Sequence, residues 1–181
     1  MLSREGYVDL LLELKEEFPE FKITKRTHSK LLKFFDVILK VISLGKLSNF
    51  MNGFVTTVGN VIYVPDAWET WSSSRKAIVL RHERIHMRQV REMGKFKFFF
   101  LYLLFPFPTI FAFYRAKFEK EAYEESLKAY YEYYGSKFFT NALREEIIKN
   151  FTTANYFWMW PWRSKVERWY DHAVADIKSF K

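Results

Sequence analysis

Apolar positions recur at helical spacing along most of this chain and alternate at strand spacing in one short region. Val8, Leu11, Leu12 and Leu14 predict a helix over residues 3–18, stopped by Pro19. A β-like run from Phe21 to Lys25 follows, and Leu31 to Leu44 predicts a second helix closed by Gly45. Between Gly53 and Val64 the character changes. FVTTV and VIYV are β-branched on both sides of Gly59-Asn60, which predicts a two-stranded hairpin ended by Pro65-Asp66.

Serines at 72–74 supply an N-cap for a helix that runs to Met93 and stops at Gly94. Phe96 to Tyr114 is almost wholly apolar and is interrupted by Pro106 and Pro108. A long helix is expected from about Thr109 to Tyr134, closed by Gly135, then helices over Asn141–Phe151 and Ser164–Ser179. The tryptophan-dense stretch Asn155–Trp162 lies between the last two and is expected to pack over the core, with stacking on sugars or nucleobases, or a place at a bilayer interface, as the alternative.

The predicted fold is therefore α+β and mainly α. With no internal repeat and no low-complexity linker, residues 1–181 are expected to form a single domain. Composition agrees: 49% hydrophobic and 20% aromatic residues exclude a disordered chain. The apolar stretch near the N-terminus carries acidic residues, so it reads as an amphipathic helix and not as a secretory signal. A cytoplasmic or virion-associated location is the corresponding expectation, with peripheral membrane contact as an alternative. Net charge is +8, which favours anionic partners such as nucleic acid, acidic lipid or cell-wall polymer, although solubility alone explains such a charge. No nucleic-acid motif accompanies it.

Cysteine is absent, which excludes disulfides, Cys-ligated zinc and a Cys nucleophile. Any metal must be held by His, Asp or Glu, and there are only four histidines. Two of them stand in His82-Glu83-Arg84-Ile85-His86, an HExxH pattern. Positions i and i+4 share one helical face, so both imidazoles can reach one Zn²⁺. Glu83 lies beside them, where it can accept a proton from an activated water. At 100° per residue, Ile78, Val79, His86, Gln89, Val90 and Met93 fall on the face of His82, and Arg84, Arg88, Arg91 and Lys95 fall opposite. The histidines are thus expected inside and the arginines in water.

A third protein ligand is needed. A third histidine at metzincin spacing is missing, because Gln89 and Glu92 occupy those positions. The long helix after Pro108 carries FEKEAYEES at 118–126. There Phe118, Ala122, Ser126, Ala129 and Tyr133 define an inner face, to which Glu119 lies closer than Glu121.

HERIHMRQ followed by FEKEAY resembles the small bacterial and phage-borne HExxH proteins of the gluzincin zincin type, over roughly residues 53–134. It is more distantly similar to membrane-associated gluzincins that carry Glu-x-x-Ala-Asp. The resemblance implies a minimal zincin-like fold, with the hairpin or small sheet packed on the HExxH helix and a second helix bringing the last ligand. It implies a Zn²⁺ cofactor, a peptide or protein substrate, Glu119 as third ligand and Ala122 as the small residue beside the metal. Glu121 stays open as third ligand, because thermolysin-like enzymes place Ala directly after it. Tyr123 stands where the family has a histidine-supporting Asp. A helical, Trp-rich extension over 136–181 lies beyond the resemblance.

The expected activity is zinc-dependent hydrolysis of an amide or peptide bond. The alternative is a membrane- or virion-associated structural protein that keeps a zinc site without turnover. His172, Tyr123, Tyr130 and Arg115 are candidates to stabilise a developing oxyanion. The uncharged run Phe98–Tyr114 is expected to be a buried helical corner, with a membrane-facing patch as the alternative. In zincins an edge strand ahead of the HExxH helix pairs with substrate backbone, and Gly53–Val64 has the chain order for that, or for ordinary packing.

Overall fold

The computed structural model describes residues 3–28, 55–103, 112–153, 159–160 and 162–179. Its helices, in chain order, are α1 (Arg4–Glu17), α2 (Ser73–Met93), α3 (Lys95–Leu103), α4 (Ala112–Tyr134), α5 (Asn141–Thr152) and α6 (Arg163–Ser179). Its strands are β1 (Lys22–Lys25), β2 (Thr56–Val58) and β3 (Val61–Val64). The architecture is α+β and mainly helical. The helix expected over 31–44, the first two residues of the predicted hairpin and the Pro106–Pro108 interruption lie outside the described residues.

Two compact units make up the chain, one over residues 3–79 and one from Leu80 onward, with the division falling inside α2. In the first unit, Ser3 caps α1 by accepting a hydrogen bond from the Gly6 N–H at 3.1 Å. The buried stripe of α1 is Leu10 and Leu14, continued by Phe18, while Val8 and Leu12 face solvent. Adjacent leucines cannot all share one stripe. Spacing of four selects Leu10, Leu14 and Phe18 over the set read from periodicity.

The hairpin is the pair β2–β3, turned at Gly59, whose φ of +62° is open to glycine. In β3, Ile62 and Val64 are buried and alternate with half-buried Val61 and Tyr63. The sheet has a third member. β1 pairs in parallel with β3 from Lys22↔Val61 to Lys25↔Val64, so the order is β1-β3-β2. The strand leading into α2 is therefore central, and β1 and β2 are the edges.

Ser72 Oγ accepts from the Arg75 N–H at 3.3 Å at the start of α2. At its end, Gly94 adopts φ +85° and donates its N–H to Val90 O at 2.9 Å, the left-handed C-terminal closure glycine permits. Gly135 closes α4 in the same way, with φ +74° and a 2.8 Å bond to Tyr131 O. The sequence-predicted arginine face of α2 is narrower than expected, because Leu80 and Met87 on that side are fully buried. Helix α2 is covered on two sides, not one.

The core of the second unit lies among α4, α5 and α6, with Leu127, Leu143, Ile148, Phe151, Val166 and Tyr170 among its buried members. Of the tryptophan-dense stretch, Met159 enters this core, Trp160 packs against it, and Trp162 faces solvent. Residues 154–158 and 161 lie outside the described residues. The expectation of a buried corner at 98–114 also changes. Over its described ends, Phe98 and Tyr102 are half-buried, but Phe99, Phe100, Phe113 and Tyr114 are exposed. A helix one turn from its partner can bury only one face. Phe98 and Tyr102, four apart, take it, and the neighbouring rings are left outside. Among the described residues, no helix is long and apolar enough to cross a membrane.

Candidate metal centre

All members of the site belong to the second unit. Helix α2 turns His82 and His86 to one side, and α4 presents Glu119, which is only 1% exposed. These three form a compact group of potential metal-binding atoms. His82 Nε2 and His86 Nε2 are 3.3 Å apart. Glu119 Oε2 lies 3.5 Å from His82 Nε2, and its Oε1 lies 3.7 Å from His86 Nε2. Tetrahedral zinc with bonds of about 2.0–2.1 Å has ligand–ligand edges of roughly 3.3–3.4 Å. The two nitrogens therefore stand at such an edge, and Glu119 offers Oε2 to His82 and Oε1 to His86 at slightly longer reach, with one donor atom from each residue all within 4.8 Å.

The proton positions follow from the neighbours. Ser126 Oγ donates to Ala122 O at 3.2 Å, so it faces His82 Nδ1, 3.1 Å away, as an acceptor. Gln89 spends both amide hydrogens, on Phe118 O at 3.2 Å and Glu121 Oε2 at 2.7 Å. Its Oε1 is thereby fixed towards His86 Nδ1 at 2.9 Å. Both Nδ1 atoms are donors, so in the neutral rings both Nε2 atoms carry lone pairs, and those lone pairs meet. Glu119 Oε2 adds a buried carboxylate oxygen that has no hydrogen-bond partner. Such an arrangement is repulsive unless a cation is shared, either a metal ion or a proton on one imidazole.

Charge at the site follows the same logic. Burial opposes ionisation of Glu119, but the two imidazoles and the Tyr102 hydroxyl outweigh it and hold its carboxyl at about 2. Burial alone would lower the His82 pKa, yet the carboxylates of Glu119 and Glu83 raise it. Glu83 is itself buried, and its charge is felt by both His82 and Tyr102.

Tyr102 is the residue that sequence reasoning missed. Its hydroxyl donates to Glu119 Oε1, and its ring meets the edge of His86 at 5.9 Å. Burial first, then the Glu119 charge, push its pKa well above the usual tyrosine value, so it stays a donor. Nothing in the apolar run KFKFFFLYL singles out this tyrosine except that it is the one residue there with a polar hydroxyl. Phe98 stacks on it at 5.4 Å and on Phe118 at 5.2 Å, which seats α3 against α4. The Arg115 guanidinium is 5.0 Å from the Tyr102 ring.

The remaining sequence candidates separate cleanly. Glu121 is exposed and holds Gln89, leaving Glu119 as the carboxylate in the group. Tyr123 places its ring edge 4.9 Å from His82, while its hydroxyl accepts from Asn150 Nδ2 at 2.9 Å. The imidazole-holding role belongs to Ser126, one turn beyond Ala122. Tyr130 stacks on Phe138 at 4.7 Å. His172 is exposed on α6 and is not part of the group. Arg81, one residue before His82, ties α2 to α4 through Glu125 at 2.7 Å and through Glu132.

Comparison with protein-family models, with curated proteins and with solved structures finds no match to this chain.

Proposed function

We propose that the protein is a zinc-dependent hydrolase of amide or peptide bonds, zincin-like and of the gluzincin type. His82, His86 and Glu119 are the metal ligands, and Glu83 is the general base. The single observation that carries this reading is the convergence of two imidazole Nε2 atoms, 3.3 Å apart, with a carboxylate oxygen that lacks any hydrogen-bond partner. Bound Zn²⁺ supplies polarisation of a carbonyl and brings the pKa of a water towards about 7. Ser126 and Gln89 hold the two imidazoles in the tautomer that leaves Nε2 free. Tyr102 occupies Glu119 Oε1 and leaves Oε2 directed at His82. Glu83 accepts the proton of the attacking water on its carboxylate and delivers it to the departing nitrogen.

Elemental analysis of the purified protein should find a single equivalent of zinc that His82→Ala and Glu119→Gln lose. Glu83→Gln should keep the metal while peptide cleavage falls by about 10²–10⁴-fold. Metal content unchanged in His82→Ala would remove the ligand assignment.

A second reading has its own support in the burial of the group, with Glu119 and His86 almost closed to solvent. Structural zinc sites are closed, whereas catalytic ones keep an open position. On that reading the protein is a membrane- or virion-associated structural component. Zinc retained by both wild type and Glu83→Gln, with no cleavage by either, would select it.

A further inference from the structure

Between Lys95 and Lys120 the chain carries five basic residues and a single acid, Glu119, which is buried in the metal group. Every charge this stretch shows to solvent is therefore positive. Lys95, Lys97 and Lys117 are all exposed.

The same stretch exposes large rings. Phe96 is 94% exposed, and Phe99 and Phe100 are 40% and 45% exposed beside the half-buried Phe98–Tyr102 side of α3. Phe113 and Tyr114 are exposed in the first turn of α4. From α4, ring contacts run from Phe113 to Trp160 at 5.8 Å and from Trp160 to Trp162 at 5.1 Å. Trp162 is 52% exposed, and the Lys165 ammonium lies 5.1 Å from its ring. Single exposed apolar residues need no explanation, but six large rings interleaved with lysines do.

We infer that this aromatic and lysine-bearing surface docks on an anionic lipid bilayer. The rings enter the boundary between headgroups and acyl chains, and the lysine stems lie along it with their ammonium groups among the phosphates. Aromatic rings beside Lys are the composition of a bilayer-surface segment, with tryptophan at headgroup level. A protein-binding surface is instead depleted in lysine. No described helix can span a bilayer, so the contact is one of lying on the surface. The inference does not depend on the metal chemistry, because neither the rings nor the lysines belong to the metal group.

Full-length protein is to be sedimented with phosphatidylcholine vesicles, with and without phosphatidylglycerol. Binding is expected on the anionic vesicles and should weaken as salt is raised. Phe99→Ser with Phe100→Ser, and separately Lys95→Glu with Lys97→Glu, should each weaken it by about tenfold or more. Brominated acyl chains should quench tryptophan fluorescence in wild type, and less so in Trp162→Phe. Circular dichroism and zinc content, both expected to be unchanged, keep a folding defect apart from lost binding. The inference fails if neither vesicle binds. It fails too if the Phe99/Phe100 variant binds like wild type, since charge alone would then be acting. Self-association of wild type that this variant abolishes, without any lipid binding, would assign the surface to a second copy of the chain.

Discussion

Gln89 holds His86 by its amide oxygen at 2.9 Å and α4 by its amide nitrogen, through Phe118 O and Glu121. One side chain thus sets the tautomer of an imidazole on α2 and ties it to the helix that carries Glu119. Gln89→Leu removes both functions while leaving the three donor groups in place. Zinc affinity should fall about 10–100-fold, read by competition with a chromophoric chelator, with the helical circular dichroism retained. Unchanged affinity would show that His86 is oriented by something else.

Tyr102→Phe deletes the donor to Glu119 Oε1 and keeps the ring against Phe98. Glu119 then has two buried oxygens without a hydroxyl partner. The metal-free protein should lose about 1–3 kcal/mol in urea denaturation. Zinc should recover much of that loss, because binding to the folded state alone stabilises it.

Without metal, stability should peak in a defined pH window. Glu119 is depressed from 4.5 to about 2, so its contribution is complete above 4.5 and disappears as pH falls towards 2. His82 is raised above 6.5, so its contribution is complete below 6.5 and disappears as pH rises through its folded value. Thermal melts of chelator-treated protein should therefore be highest between about pH 4.5 and 6.5. His82→Ala should flatten the alkaline limb. Zinc should bind more tightly as pH rises, since it requires the unprotonated imidazole.

Phe151 is fully buried, with the Tyr123 ring at 5.4 Å and the Trp169 ring at 5.2 Å. Phe151→Ala should destabilise by about 3–5 kcal/mol in denaturant titration. Tyr123 rests against His82, so zinc affinity should drop in the same variant. Arg81→Ala acts differently: it removes the link to Glu125 and Glu132 and should cost about 1–2 kcal/mol without altering zinc stoichiometry.

Much of the architecture is local in origin, and it was legible for that reason. Ser72 accepts the backbone N–H three residues on, and Gly94 and Gly135 close the helices they follow. The β2–β3 hairpin depends on Gly59 and its flanking β-branched residues. The pairing of His82 with His86 needs only the pitch of one helix. These features are properties of short segments, written in neighbouring residues.

Tertiary structure decided whatever requires two distant segments to meet. No local pattern specifies that β1 should lie parallel to β3. Periodicity placed Glu119 and Glu121 on opposite sides of Ala122, with Glu119 the nearer to the inner face, and only the approach of α2 put Glu119 against the imidazoles and Glu121 against Gln89. Tyr102 entered the site because α3 lays Phe98 on Phe118, a contact twenty residues apart in the chain and invisible to any single-helix reading. Spacing along one helix is geometry that the chain carries in itself. The partner of a side chain across a helix interface depends on how whole faces pack, and that is fixed only when the helices dock.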